Sequence, residues 1–187
     1  MGEVLTIIGL GYVGLPLAQE ACRSGLRVNG LDVSPSVVDG LNSGSSHIDD
    51  LDGDDIVEML AAGFHATSDP ACIAESSVVV ICVPTPLSED GRPDLDAVES
   101  AASSVGDHLT SGTLVVLEST TYPGTTDGTV RSLLEERSGL MAGADFALAY
   151  SPERIDPGNA DFGLRNTPKV VGGLTAACTD RAAAFYG

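Results

Sequence analysis

The chain has 187 residues, enough for a domain that buries about 70% of its unfolded-state surface and needs no covalent staples. Its formal net charge of −18 sets 27 acidic residues against 9 basic ones, with Lys169 the single lysine. Such a balance excludes nucleic acid and anionic membranes as partners, and it leaves any anionic ligand to be held by local devices. Hydrophobic residues make up 43% and aromatics only 4%, so the core is built from Val, Leu, Ile and Ala.

The first apolar run, Val4–Ile8, predicts a strand, and residues 12–24 a helix. Residues 28–32 predict a second strand. Ser34 and Pro35 then give a cap and a first-turn proline for a helix running to Asn42. A helix is expected over 54–62 and a short strand over 64–67. The run "VVVIC" at 78–82 is continuous and mostly β-branched, as a strand buried on both faces requires. Beyond it come a helix over 95–108, a strand over 114–117, a helix over 126–136, and strands over 146–150 and 169–171. A last helix spans 175–186, followed by Gly187. Strands alternating with helices imply a parallel sheet covered on both faces, whose ligands bind beyond the carboxyl ends of the strands.

The segment "LTIIGLGYVGLPLA" places Gly9, Gly11 and Gly14 between the first strand and the first helix, with Asp32 at the end of the second strand. This is the context a dinucleotide-binding turn needs. Gly9 permits the turn, Gly11 lets backbone approach a pyrophosphate, and Gly14 lets helix pack on strand. The helix N-terminus then faces the phosphates, so an acidic protein can hold an anionic cofactor without a basic patch. Asp32 would accept hydrogen bonds from the adenosine ribose and repel a 2′-phosphate, which favours NAD over NADP. The fold class expected is α/β, a Rossmann-type doubly wound, mostly parallel sheet, forming a single NAD-binding domain over 1–187.

"GLGYVGLPLA" resembles the opening of the UDP-glucose/GDP-mannose dehydrogenase family, the nucleotide-sugar dehydrogenases. "VPTPL" (83–87), "ESTTYPGTT" (118–126) and "SPERIDPGN" (151–159) extend the resemblance in order over essentially the whole chain. The last stretch is more similar to the branch that oxidises UDP-N-acetylhexosamines. The resemblance implies oxidation of a sugar C6 alcohol to a carboxylate with two NAD, by way of an adduct on a cysteine thiol, in the synthesis of surface polysaccharide precursors. It places Gly9, Gly11, Tyr12, Val13 and Gly14 at the pyrophosphate, Asp32 at the ribose, and Thr85, Pro86 and Ser119 beside the cofactor. It gives Thr120 and Glu153 catalytic roles near the reacting carbon and a water. From the residues alone, Thr120 is equally a loop threonine bonding its own backbone, and Glu153 reads first as a solvated carboxylate.

Two departures stand out. Val37 occupies a place where the family often carries Lys or Arg. The family's nucleophilic cysteine, with its Lys and Asn partners, has no counterpart among Cys22, Cys72, Cys82 and Cys178. The central helix, the thiol-bearing C-terminal domain and most UDP-sugar contacts are therefore expected outside this chain, which alone should bind NAD and turn over nothing. The full-length form is expected to be a homodimer. A stand-alone binding module serving a separate thiol domain is the alternative, and a small 3-hydroxyacid dehydrogenase a third reading. The cysteines form no metal-type spacing and read as small buried hydrophobes of a reducing, cytoplasmic protein. No signal peptide or membrane span is expected. The acidic run at 49–60 lacks the glycine and final glutamate of a calcium loop, and reads as a helix-capping turn; no metal site is expected.

Overall fold

In the computed structural model, which describes residues 3–87, 91, 93–152 and 167–187, the chain builds a seven-stranded sheet. Strand β1 (Val4–Ile8) leads to α1 (Gly14–Arg23), β2 (Arg27–Leu31), α2 (Pro35–Asn42), α3 (Gly53–Ala61) and β3 (His65–Thr67). Strand β4 (Val78–Ile81) is followed by α4 (Asp96–His108), β5 (Leu114–Leu117), α5 (Arg131–Ser138), β6 (Ala147–Tyr150), β7 (Gly172–Gly173) and α6 (Ala176–Tyr186). The spatial order is β3-β2-β1-β4-β5-β6-β7. All pairings are parallel except β6 with β7. This is the doubly wound arrangement expected, with the order reversing between β1 and β4.

Period-two alternation along the strands divides the core into two layers. Leu5, Ile7, Val28, Val78, Val80, Leu114 and Val116 point to one face, where α1, α2, α3 and α6 cover them. Ile8, Leu31, Val79, Ile81, Val115 and Leu117 point to the other, beneath α4 and α5. Strands β4 and β5 are buried at every position, which is why they read as unbroken apolar runs. Edge strand β3 is kept from exposing its backbone by Asn42, whose side-chain amide both donates to and accepts from Ala66, at 2.8 and 3.0 Å.

The acidic run is a capping device. Asp52 accepts from the Asp55 N–H at 3.0 Å, and Asp55 accepts from the Asp52 N–H at 3.2 Å. Asp55 also accepts from Gln19 at 2.6 Å and pairs with Arg23, tying α3 to α1.

Three elements differ from the sequence reading. The last strand lies at Gly172–Gly173, not 169–171. There a Cβ on Gly173 would lie 2.3 Å from the Thr179 backbone nitrogen, so only glycine lets α6 pack against this edge. The helix expected over 126–136 opens with a π-helical turn, Thr125–Val130, before α5 continues to Ser138. A 3₁₀ helix at Pro70–Glu75 was not expected, although Asp69 accepts from the Ala71 N–H at 3.0 Å and Pro70 opens the turn, the same cap-and-proline signal as Ser34–Pro35.

Candidate functional site

Register decides which residues meet at the sheet edge. Ile8, Leu31, Ile81 and Leu117 are the last residues of four adjacent strands and pair in one row. The residues that follow, Asp32, Gly9, Cys82 and Glu118, therefore line up across the carboxyl edge in the strand order β2-β1-β4-β5. A groove of about 840 Å³ lies over them. Its walls include Gly11, Tyr12 and Val13 on one side and Ala97, Ser100, Ala101 and Ser104 of α4 on the other. The four α4 residues form one helical stripe of small side chains, which leaves the groove open.

The three glycines have separable causes. Gly9 has φ +90°, and a Cβ there would stand 2.9 Å from the Cys82 carbonyl oxygen. A Cβ on Gly14 would lie 1.9 Å from the Gly9 carbonyl oxygen. Gly11 meets nothing within 4 Å. No protein contact requires glycine at position 11, so the space it leaves fits a group that approaches from the groove. The N-terminus of α1 has no side-chain cap and no acidic residue in its first turn. Its backbone donors and positive end are left for an anion.

Asp32 is fixed from two sides. One carboxylate oxygen accepts from the Leu10 N–H and the other from the Ser34 N–H, both at 2.9 Å. Each oxygen keeps acceptor capacity for a hydroxyl pair. At the opposite end, the Thr85 hydroxyl donates to the Thr120 carbonyl and the Ser119 hydroxyl donates to the Val83 carbonyl, each at 2.7 Å. These bonds lock the loops after β4 and β5 together. Thr120 lines the groove, and its hydroxyl has no hydrogen-bond partner among the described residues.

The structure thus brings Gly9, Gly11, Tyr12, Val13, Asp32, Thr85, Ser119 and Thr120 to one groove. Gly14 lies beneath it, acting through packing. Pro86 is not in the wall; its carbonyl accepts from the Asp94 N–H at 2.7 Å. Glu153 lies outside the described residues. Val37 packs against the apolar core beside α1.

Sequence reasoning missed the role of Glu118. Its side chain is fully buried below Ser119 and Thr120, and its carboxylate is 2.8 Å from the Lys169 ammonium. The Tyr186 hydroxyl donates to the same oxygen, and the ammonium stands 4.8 Å from the Tyr186 ring centre. An isolated glutamate and the single lysine give no local signal of a pair 51 residues apart. A second hollow of about 450 Å³ lies beyond the turn, lined by Thr121, Tyr122, Asp127 and Tyr150.

The family model described as "UDP-glucose/GDP-mannose dehydrogenase family, NAD binding domain" matches residues 3–187. The chain belongs to this family, as its NAD-binding domain. The domain is 38% identical to the UDP-N-acetyl-D-mannosamine dehydrogenase of Yersinia pestis over 98% of this chain and 45% of that protein. Among solved structures it is similar to the UDP-D-ManNAc dehydrogenase of Pyrococcus horikoshii, with TM-score 0.91 and 37% identity over 98% of this chain and 44% of that one. It is also similar to the NDP-N-acetyl-D-galactosaminuronic acid dehydrogenase of Methanosarcina mazei, with TM-score 0.90 and 36% identity over 98% of this chain and 41% of that one. The NAD-binding domain therefore spans less than half the length of these relatives. Among its described residues no group of His, Cys, Asp and Glu is placed to hold a metal ion. Nor is any helix there long and apolar enough to cross a membrane.

Proposed function

We propose that this chain is the cofactor half of a dehydrogenase that oxidises the C6 alcohol of a UDP-N-acetylhexosamine to the carboxylate. The observation that carries the reading is Gly11, whose missing side chain serves no protein contact and opens the α1 N-terminus to a diphosphate. NAD held in this groove would supply the acceptor for hydride from the sugar carbon. The overall change from alcohol to carboxylate removes two hydrides and takes up one water. The chain's part is to bind and orient. Asp32 would hold the adenosine ribose at the β2 end, the glycine turn would hold the diphosphate, and Thr85, Ser119 and Thr120 would hold the nicotinamide end.

Thr120 is the proposed catalytic residue, its hydroxyl hydrogen-bonding the sugar oxygen or the attacking water. It stands where the groove gives way to the hollow beyond the turn, the side from which the sugar would approach. Glu153 is proposed as the acid that positions or deprotonates that water. The thiol step is assigned to residues outside this stretch. Burial pushes the Cys22 thiol up to about 11 and also raises Cys72. Cys178 is a buried residue of α6, away from the groove, and Cys82 meets the groove only as a buried residue just past the end of β4. The full-length protein is proposed to be a homodimer working in the cytoplasm, where NAD and nucleotide sugars are available.

The test mixes this chain with NAD and UDP-N-acetylmannosamine and follows NADH absorbance. The expected result is NAD binding without NADH formation. Turnover by the chain alone would show that no further domain is needed and overturn the division of labour.

A further inference from the structure

The loop between α2 and α3 sends one side chain into the groove wall, His47. The backbone around it is fixed. The Ser46 hydroxyl donates to the Ile48 carbonyl at 2.9 Å and accepts from the Ile48 N–H at 3.2 Å, closing a small ring around position 47. Ile48 and Leu51 are buried in the same apolar cluster as Leu10 and Leu15, and Val13 packs against that cluster. The loop thus lies on the glycine-turn side of the sheet, opposite the α4 wall. The Asp52–Asp55 capping box pins its far end.

The imidazole itself is exposed and has no hydrogen bond or ion pair among the described residues. It is also the one side chain in the described wall able to carry positive charge; the other charged groups there are the carboxylates of Asp32 and Glu118. Asp32 already serves the turn, and Glu118 is engaged by Lys169 and Tyr186. A dinucleotide entering this groove brings a diphosphate into a molecule of net charge −18, past a turn that offers backbone N–H groups and the Tyr12 hydroxyl but no cationic side chain.

We propose that His47 is a phosphate-contacting residue of the cofactor site, its imidazole N–H donating to the diphosphate from the flank of the glycine turn. The proposal rests on the assignment of this groove to NAD. It accounts for a rigid loop that presents an unpartnered donor to the groove, and for tolerance of Val37, which is committed to the core and offers the ligand no charge.

The test compares the chain with its His47→Ala and His47→Gln variants, titrating ADP-ribose by calorimetry and adenosine by ligand-observed NMR. Because the side chain is exposed and unpartnered, the thermal midpoint of His47→Ala should match the wild type. His47→Ala should weaken ADP-ribose about tenfold, the scale of one charge-assisted hydrogen bond, and leave adenosine unchanged. His47→Gln, which keeps an N–H donor, should recover part of the loss. Unchanged ADP-ribose affinity in His47→Ala would overturn the proposal, as would an equal loss for adenosine. A wild-type chain that fails to bind ADP-ribose would overturn the cofactor assignment itself, and the proposal with it.

Discussion

Gly11 and Gly14 stand three residues apart and answer to different constraints. Gly14 is required by the fold, since its Cβ would occupy the Gly9 carbonyl. Gly14→Ala should destabilise the chain by about 3 kcal/mol, the upper range for overpacking, measured by urea denaturation. Gly11→Ala has open space around it and should leave the unfolding midpoint in place while weakening NAD at least about tenfold by calorimetry. A destabilised Gly11→Ala chain with normal NAD affinity would mean that both glycines serve folding. Both roles are legible in the spacing of the motif, because each follows from where the first helix must start. Thr85 and Ser119 were less legible. Their hydroxyls are spent on carbonyls of neighbouring loops, and a sequence does not say whether a hydroxyl at a binding edge faces the ligand or the frame.

At the scale of elements, the end of β5 is anchored by charge. Glu118 on β5's edge, Lys169 before β7 and Tyr186 on α6 converge inside the protein. Lys169→Met takes the cation from a fully buried carboxylate and should cost about 3–5 kcal/mol in denaturant unfolding. Tyr186→Phe removes one donor and should cost about 1–2 kcal/mol. If Lys169→Met unfolds like the wild type, the pair does not hold this end of the sheet.

Helix α5 carries a different anchor. The Ala142 N–H and the Arg131 guanidinium both donate to Glu135, at 3.0 Å each, and hold its carboxyl below the usual range. A depressed carboxyl contributes stability above its unfolded pKa and loses it as pH falls through the folded value. Stability should therefore decline on acidification below the ordinary glutamate range, and Glu135→Gln should reduce that slope. An identical acid slope in the variant would remove Glu135 from the account.

These anchors explain what the pattern of residues leaves out. Strands β4 and β5 announce themselves because burial on both faces demands an unbroken apolar run. Strand β7 does not, because it is two glycines with no apolar side chain to show a pattern, held closely against α6 by a long-range packing contact. The π-helical turn at Thr125–Val130 has no period that separates it from an ordinary first turn.

The whole molecule solves one electrostatic problem, holding an anionic cofactor on a chain of net charge −18. In the proposed reading, backbone donors at a helix end, an acid accepting ribose hydroxyls and His47 would do this together, around the groove at the strand-order reversal. The fold and most of the groove could be read in advance because doubly wound sheets place their ligands by topology. The α4 wall and His47 could not, since small residues and a lone histidine look alike whether they line a groove or a surface.

Asp32 gives this account its sharpest discrimination, because a carboxylate that accepts ribose hydroxyls repels a phosphate in the same place. The measurement that tests it most directly is calorimetric titration of the chain with NAD and NADP in the same buffer. One NAD per chain is expected, with NADP binding at least about tenfold more weakly. Equal affinity for the two, or no binding of NAD, would contradict it.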